Sequence, residues 1–207
     1  MSSSLHVYLV DVAAVHAMIG SRDDDVLGDI RINFGYDMKA DDEYFDHEIE
    51  NGAPTADEAL QAVVNGGPFS ERRSHSFAYA NAYQRLCSST GSFLPNDHFT
   101  PHRGAWLSAV DQGLKGLGVT AVALTDFFGP MPAPLPRTDT VSAGVWTHER
   151  ILQALEQLAD AQRAVDEGRI PRPEPVGDDV AEAVQQSLGW MRLAADHPGY
   201  GTIGFHA

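Results

Sequence analysis

The sequence predicts an α+β fold. It reads as a helix-rich single domain, residues 1–207, with a small mixed or antiparallel sheet containing the N- and C-terminal strands. Three observations carry this. Short apolar runs, "LHVYLV" at 5–10 and "YGTIGFH" at 200–206, stand at the two ends of the chain. Between them, apolar residues recur at helical spacing behind capping residues. The length of 207 residues suits one core, and 43% apolar with 21% charged residues is an ordinary globular balance.

In the first strand Leu5, Val7 and Leu9 alternate with His6, Tyr8 and Val10, which offers two faces. Asp11 can cap a short helix over 12–18 that stops at Gly20. Ser21 can cap a second helix, about 22–34, with Asp23, Asp24 and Asp25 at its positive end. Residues 37–50 carry a narrow stripe of Tyr44, Phe45 and Ile49 and read as a further helix. Thr55 and Glu58 have the spacing of a capping box, opening a helix through Val64 that "GGP" at 66–68 ends.

Residues 75–87 are helical, with Ala80, Tyr83 and Cys87 on one side. Thr100 and Pro101 read as N-cap and first residue of the next helix, which turns Trp106, Val110 and Leu114 inward. "VTAVAL" (119–124) and "VSAGVW" (141–146) read as strands. Between them "GPMPAPLPR" (129–137) is a stiff, extended Pro-rich loop over the core. Thr147 caps a helix over about 148–165, with Ile151, Leu155, Leu158 and Val165 as its stripe. Asp178 caps the last helix, whose inner face is Val180, Val184, Leu188, Met191 and Ala195.

Formal net charge is −15, from 29 acidic and 14 basic residues. Phosphate neutralisation needs Lys and Arg, so no nucleic acid is expected as partner, and an anionic membrane would repel the chain. No run approaches the roughly 20 apolar residues of a membrane helix. "MSSSLHVYLVDV" has no basic n-region, and the cytosol is the expected compartment. Cys87 is the only cysteine, so a cysteine-based zinc site is not available. Scarce lysine beside abundant Ala, Gly, Asp and Arg is a bias common in high-GC bacteria.

Thirteen acidic and two basic residues fall between 23 and 58, a net of −11. This acidic helical segment suits a basic protein partner, with Asp41, Asp42, Glu43, Asp46 and Glu48 as binding residues. The size, the charge and the missing enzyme motifs fit a non-enzymatic, immunity- or antitoxin-like binding module. No P-loop, dinucleotide fingerprint or nucleophile elbow is present, so no cofactor is expected.

A second reading uses "NDHFTPHRGAW" (96–106), where Asp97, His98 and His102 lie within six positions. Two histidines four apart can share a helical face and hold a metal for hydrolysis, with the carboxylate activating water. Pro101 lies between them and pushes Thr100 out of helical geometry, so a polar loop is favoured over a metal site. His6 and His206 on the terminal strands could reach one face of the sheet if those strands are neighbours. A third reading is a small-molecule binder with an apolar pocket beneath the Pro-rich loop, near Trp106 and Trp146.

The N-terminal "LHVYLVDV", the helix "WTHERILQALEQLADA" and the closing "VQQSLGWMRLAADHPGYGTIGFHA" together resemble YfbM-like bacterial proteins of unknown function. In that family a late helix leads through a short turn into a last strand. The resemblance covers both ends of the chain and implies a compact α+β fold. It carries no activity and no catalytic residue.

Overall fold

A computed structural model describes residues 2–207. Its sheet has four strands: β1 (Leu5–Asp11), β2 (Ser92–Phe93), β3 (Ser142–Trp146) and β4 (Tyr200–His206). They lie in the order β2-β1-β4-β3, and every pair is antiparallel. The two terminal strands are neighbours along their full length, from Leu5 opposite His206 to Asp11 opposite Tyr200. The expected α+β class and the shared sheet are both observed.

Around it stand α1 (Val12–Met18), α2 (Asp24–Tyr44), α3 (Asp46–Glu50), α4 (Ala56–Asn65), α5 (Ser76–Thr90), α6 (Trp106–Gly116), α7 (His148–Asp166) and α8 (Asp178–Ala195). Helices cover both faces of the sheet. Tyr8, Val10, Ile203 and Phe205 face one apolar cluster with α1, α2, α4 and α5. Leu5, Val7, Leu9 and Trp146 face a second, with α6, α7 and α8. The strict alternation along β1 thus feeds two cores, which is why its inner positions are apolar on both faces.

Three of the six expected N-caps, Asp11, Thr55 and Thr147, sit where the sequence puts them. Asp11 accepts from the Ala14 N–H at 3.0 Å, and Thr55 with Glu58 forms a complete capping box. Thr147 caps α7. Other boundaries differ. Asp23, not Ser21, caps α2, taking the N–H groups of Asp25 and Val26. α2 then runs unbroken to Tyr44, through Gly28 and Gly35, so the expected helices over 22–34 and 37–50 are one long helix plus the short α3. A Cβ at either glycine would meet nothing within 4 Å. Gly177, not Asp178, is the N-cap of α8, with Asp178 in the first turn.

Residues 119–124 form no strand, and a 3-10 turn follows at 124–128. Side chains take the backbone partners that a neighbouring strand would supply. Gln157 accepts from the Thr120 and Ala121 N–H groups. Arg150 donates to the Ala121 carbonyl, and the Trp146 indole donates to that of Ala123. The buried Asp111 of α6 accepts from the Leu124 and Thr125 N–H groups and the Thr125 hydroxyl. Backbone groups need partners, not a particular kind of partner, so a short apolar run here does not make a strand. The 3-10 turn rests directly on the sheet at two glycines. A Cβ at Gly204 would lie 2.5 Å from the Phe127 ring, and one at Gly144 2.1 Å from the Asp126 carbonyl oxygen.

The Pro-rich loop 129–137 packs on the core through Met131 and Leu135, both in the cluster of α1, α2, α4 and α5. Trp146 lies on the other face, fully buried and stacked on Phe127 at 4.8 Å. The expected pocket uniting that loop with Trp106 and Trp146 is therefore not formed, because the sheet separates them.

Thr202 of β4 is fully buried on the Leu9 and Trp146 face, and its hydroxyl has no hydrogen-bond partner among the described residues. An orphaned buried hydroxyl costs about 1–3 kcal/mol. Thr202→Val keeps the shape and removes the orphan. It is expected to raise the thermal midpoint by about 2 °C or more. A lowered midpoint in differential scanning calorimetry would show that the hydroxyl has a partner after all.

Candidate functional site

The stretch 96–106 is a loop. Thr100 does not cap a helix. Its hydroxyl is held at the start of β1, accepting from the Leu5 N–H at 3.2 Å, and Asn96 donates to it at 2.8 Å. His102 pairs its backbone both ways with Ser3. With these partners outside any helix, α6 starts five residues later than expected, at Trp106.

The loop turns its candidate side chains apart. The Asp97 carboxylate is exposed and lies 3.5 Å from the Gln186 amide nitrogen. The His98 ring faces α8, with Nδ1 3.9 Å from Glu182 Oε2. The His98 carbonyl accepts from the Trp106 indole at 2.7 Å. The buried His102 ring points elsewhere, with Nδ1 2.8 Å from the Phe99 carbonyl oxygen and its centroid 5.3 Å from that of His206. Among the described residues, no three His, Cys, Asp or Glu side chains gather where a metal ion could sit. The metal reading of Asp97, His98 and His102 therefore loses its geometric basis. A shallow cleft of about 350 Å³ is lined by His98, His102 and Trp106, with Asp179 of α8, not Asp97, as the acidic residue on its wall.

His6 and His206 do not share a face either. His206 stands opposite Leu5, whereas His6 stands opposite Phe205, so the pleat sends the two rings to opposite sides. His6 lies 3.1 Å from the Gln84 amide, which also donates to the Tyr8 hydroxyl. Burial holds His6, His16 and His206 below the ordinary histidine value of 6.5, and the charge of His102 adds to the effect on His206. The folded chain therefore binds fewer protons than the unfolded chain below about pH 6.5. The stabilisation is full above that value and is lost as pH falls through it. The thermal midpoint is expected to drop between pH 7.5 and 5.5, and less so in a His6→Gln, His206→Gln variant. Equal slopes in the two proteins would count against these histidines as the cause.

The acidic segment 23–58 occupies α2, α3 and the start of α4. Part of its charge is used internally. Arg85 of α5 reaches Asp37 at 3.3 Å and Asp41 at 2.8 Å. The Asp42 carboxylate accepts from the Ala56 N–H at 2.7 Å, tying α2 to the start of α4. Arg31 pairs with Asp57 and holds its carboxyl below the ordinary range. Of the five expected binding residues, Asp41 and Asp42 thus hold the fold together. Asp46 accepts from the adjacent His47 N–H, and Glu43, Asp46 and Glu48 are exposed.

Across the whole length of this fold, residues 1–207 match the family model described as Domain of unknown function (DUF7691). The chain belongs to this family. No curated protein and no solved structure matches it. In this DUF7691 chain the strongest surface feature is one that charge counting misses. Ile32, Tyr36 and Tyr44 of α2 are 83%, 86% and 79% exposed, far more than the other large apolar side chains on the surface. Spacings of four and eight place them along one helical ridge. The signal was present in the sequence as a second apolar line on α2, beside the inner one of Leu27, Ile30 and Met38. Splitting α2 at Gly35 hid it.

Proposed function

We propose that this protein is a non-enzymatic binding module that docks a basic protein through the outer face of α2, in the manner of an immunity protein or antitoxin. The observation that carries this reading is the exposed ridge Ile32, Tyr36 and Tyr44 set among carboxylates. α2 carries seven acidic residues and two basic ones, and Asp25, Asp29 and Glu43 are exposed on it. Exposed aromatic side chains are the usual energetic anchors of interfaces, and the surrounding charge speeds encounter and selects a partner of opposite sign. A second copy of this chain would bring like charges together, so a basic partner is the better fit.

The test is affinity capture with three proteins in parallel, over a salt series. Wild type is expected to retain a basic protein that is lost from an Ile32→Ser, Tyr36→Ser, Tyr44→Ser variant. Retention by an Asp25→Asn, Asp29→Asn, Glu43→Gln variant should weaken and lose most of its salt dependence. Identical retention by all three proteins would overturn the reading.

A further inference from the structure

Residues 167–177, between α7 and α8, carry Pro171, Pro173 and Pro175 at every second position. Prolines at this spacing keep an extended path and prevent collapse into a helix. Among the described residues, no backbone hydrogen bond ties 171–176 to the rest of the chain. The segment stands off as a strap. Beneath it a cavity of about 960 Å³ opens between the end of α6, α7 and α8. That is at the upper end of the roughly 300–1,000 Å³ typical of small-molecule sites. The cavity lies on the opposite side of the sheet from α2 and is independent of the reading above.

Its wall is largely apolar. Leu158, Val165 and Val184 line it from the helices, and Ile170 and Val176 from the strap. Ile170 and Val176 are themselves exposed, so the strap turns apolar surface onto unfilled space. The floor is the glycine-rich end of α6. A Cβ at Gly113 or Gly118 would lie 2.7 Å from Val184 or Ala161, so these two serve close helix packing. Gly116 meets nothing within 4 Å and leaves the cavity open.

Four charged side chains border this space: Lys115, Arg172, Glu174 and Asp178. Asp178 sits in the first turn of α8, where the helix dipole accommodates its charge. Neither Lys115 nor Arg172 joins any ion pair among the described residues, although acidic side chains outnumber basic ones two to one. The geometry points to a binding site for a small amphipathic carboxylate. Its apolar body fills the space under the strap, and its carboxylate meets Lys115 and Arg172 at the mouth. The chain as a whole repels anions, so saturable uptake of one requires such a local site.

Calorimetric titration of the full chain with sodium dodecanoate, dodecanol and dodecyltrimethylammonium separates the possibilities. Dodecanoate is expected to bind saturably at one site per chain and more tightly than the other two. Lys115→Ala with Arg172→Ala should weaken dodecanoate by about tenfold and leave dodecanol unchanged. Both positions are exposed, so this variant keeps the fold. Ala181→Trp, which fills the cavity from α8, should abolish binding of both. Equal or tighter binding of the cationic probe would overturn the assignment of charge. Dodecanoate binding that survives Ala181→Trp in a protein with an unchanged thermal midpoint would overturn the site itself.

Discussion

Asp111→Ala is expected to lower the stability of the protein by about 3 kcal/mol or more, because it orphans one buried and two part-buried donors at once. Asp111 is 4% exposed and serves the N–H groups of Leu124 and Thr125 and the Thr125 hydroxyl. Removing the carboxylate leaves these groups without partners under the second core, where each costs about 1–3 kcal/mol. The segment they hold is the 3-10 turn that lies on Gly144 and Gly204, so the loss also loosens Phe127 from Trp146. For a chain of this length the expected fall in thermal midpoint is about 6–12 °C. Asp111→Asn keeps one acceptor oxygen and should lose less. The measurement is thermal unfolding followed by near-ultraviolet circular dichroism, which reports the packed tryptophans. A fall of less than about 2 °C would mean that Asp126 and Arg150, paired at 2.7 Å, hold the segment alone.

The second large effect separates the two kinds of carboxylate on α2. Asp41→Asn with Asp42→Ala is expected to destabilise the fold, because Arg85 loses a partner and the Ala56 N–H loses its acceptor. Its affinity for a basic partner, measured well below the thermal midpoint, should change little. Ile32→Ser, Tyr36→Ser and Tyr44→Ser should do the reverse. These side chains are about four-fifths exposed, so the thermal midpoint should stay within about 2 °C of wild type. Partner dissociation should rise at least thirtyfold, the equivalent of removing an interface anchor of about 2 kcal/mol. If both variants lost affinity and stability together, the outer face of α2 would be part of the fold and not a docking surface.

Local chemistry was legible in the sequence wherever one residue and its near neighbours decide the outcome. The Thr55–Glu58 capping box, the Asp11 and Thr147 caps and the Gly66 terminus of α4 all depend on groups within four residues. The alternation in β1 and the stripes of α7 and α8 are equally local, since burial on one side imposes a period. The partnership of the terminal strands followed from their apolar character and their need for ladder partners. These features together were enough for the α+β class.

Tertiary structure alone decided the rest. Whether 119–124 is a strand turned on Gln157, Arg150, Trp146 and Asp111, which arrive from distant positions to satisfy its backbone. The candidate set Asp97, His98 and His102 came apart because backbone pairing with Ser3 and Leu5 sets the path of the loop, and with it the direction of each ring. Asp41 and Asp42 became structural because α5 and α4 placed Arg85 and the Ala56 N–H beside them. The cavity under the proline strap exists only because three helices converge there. A sequence carries residue types and their spacing along the chain. The direction in which each side chain points, and what it meets there, is set by contacts between segments far apart in that order.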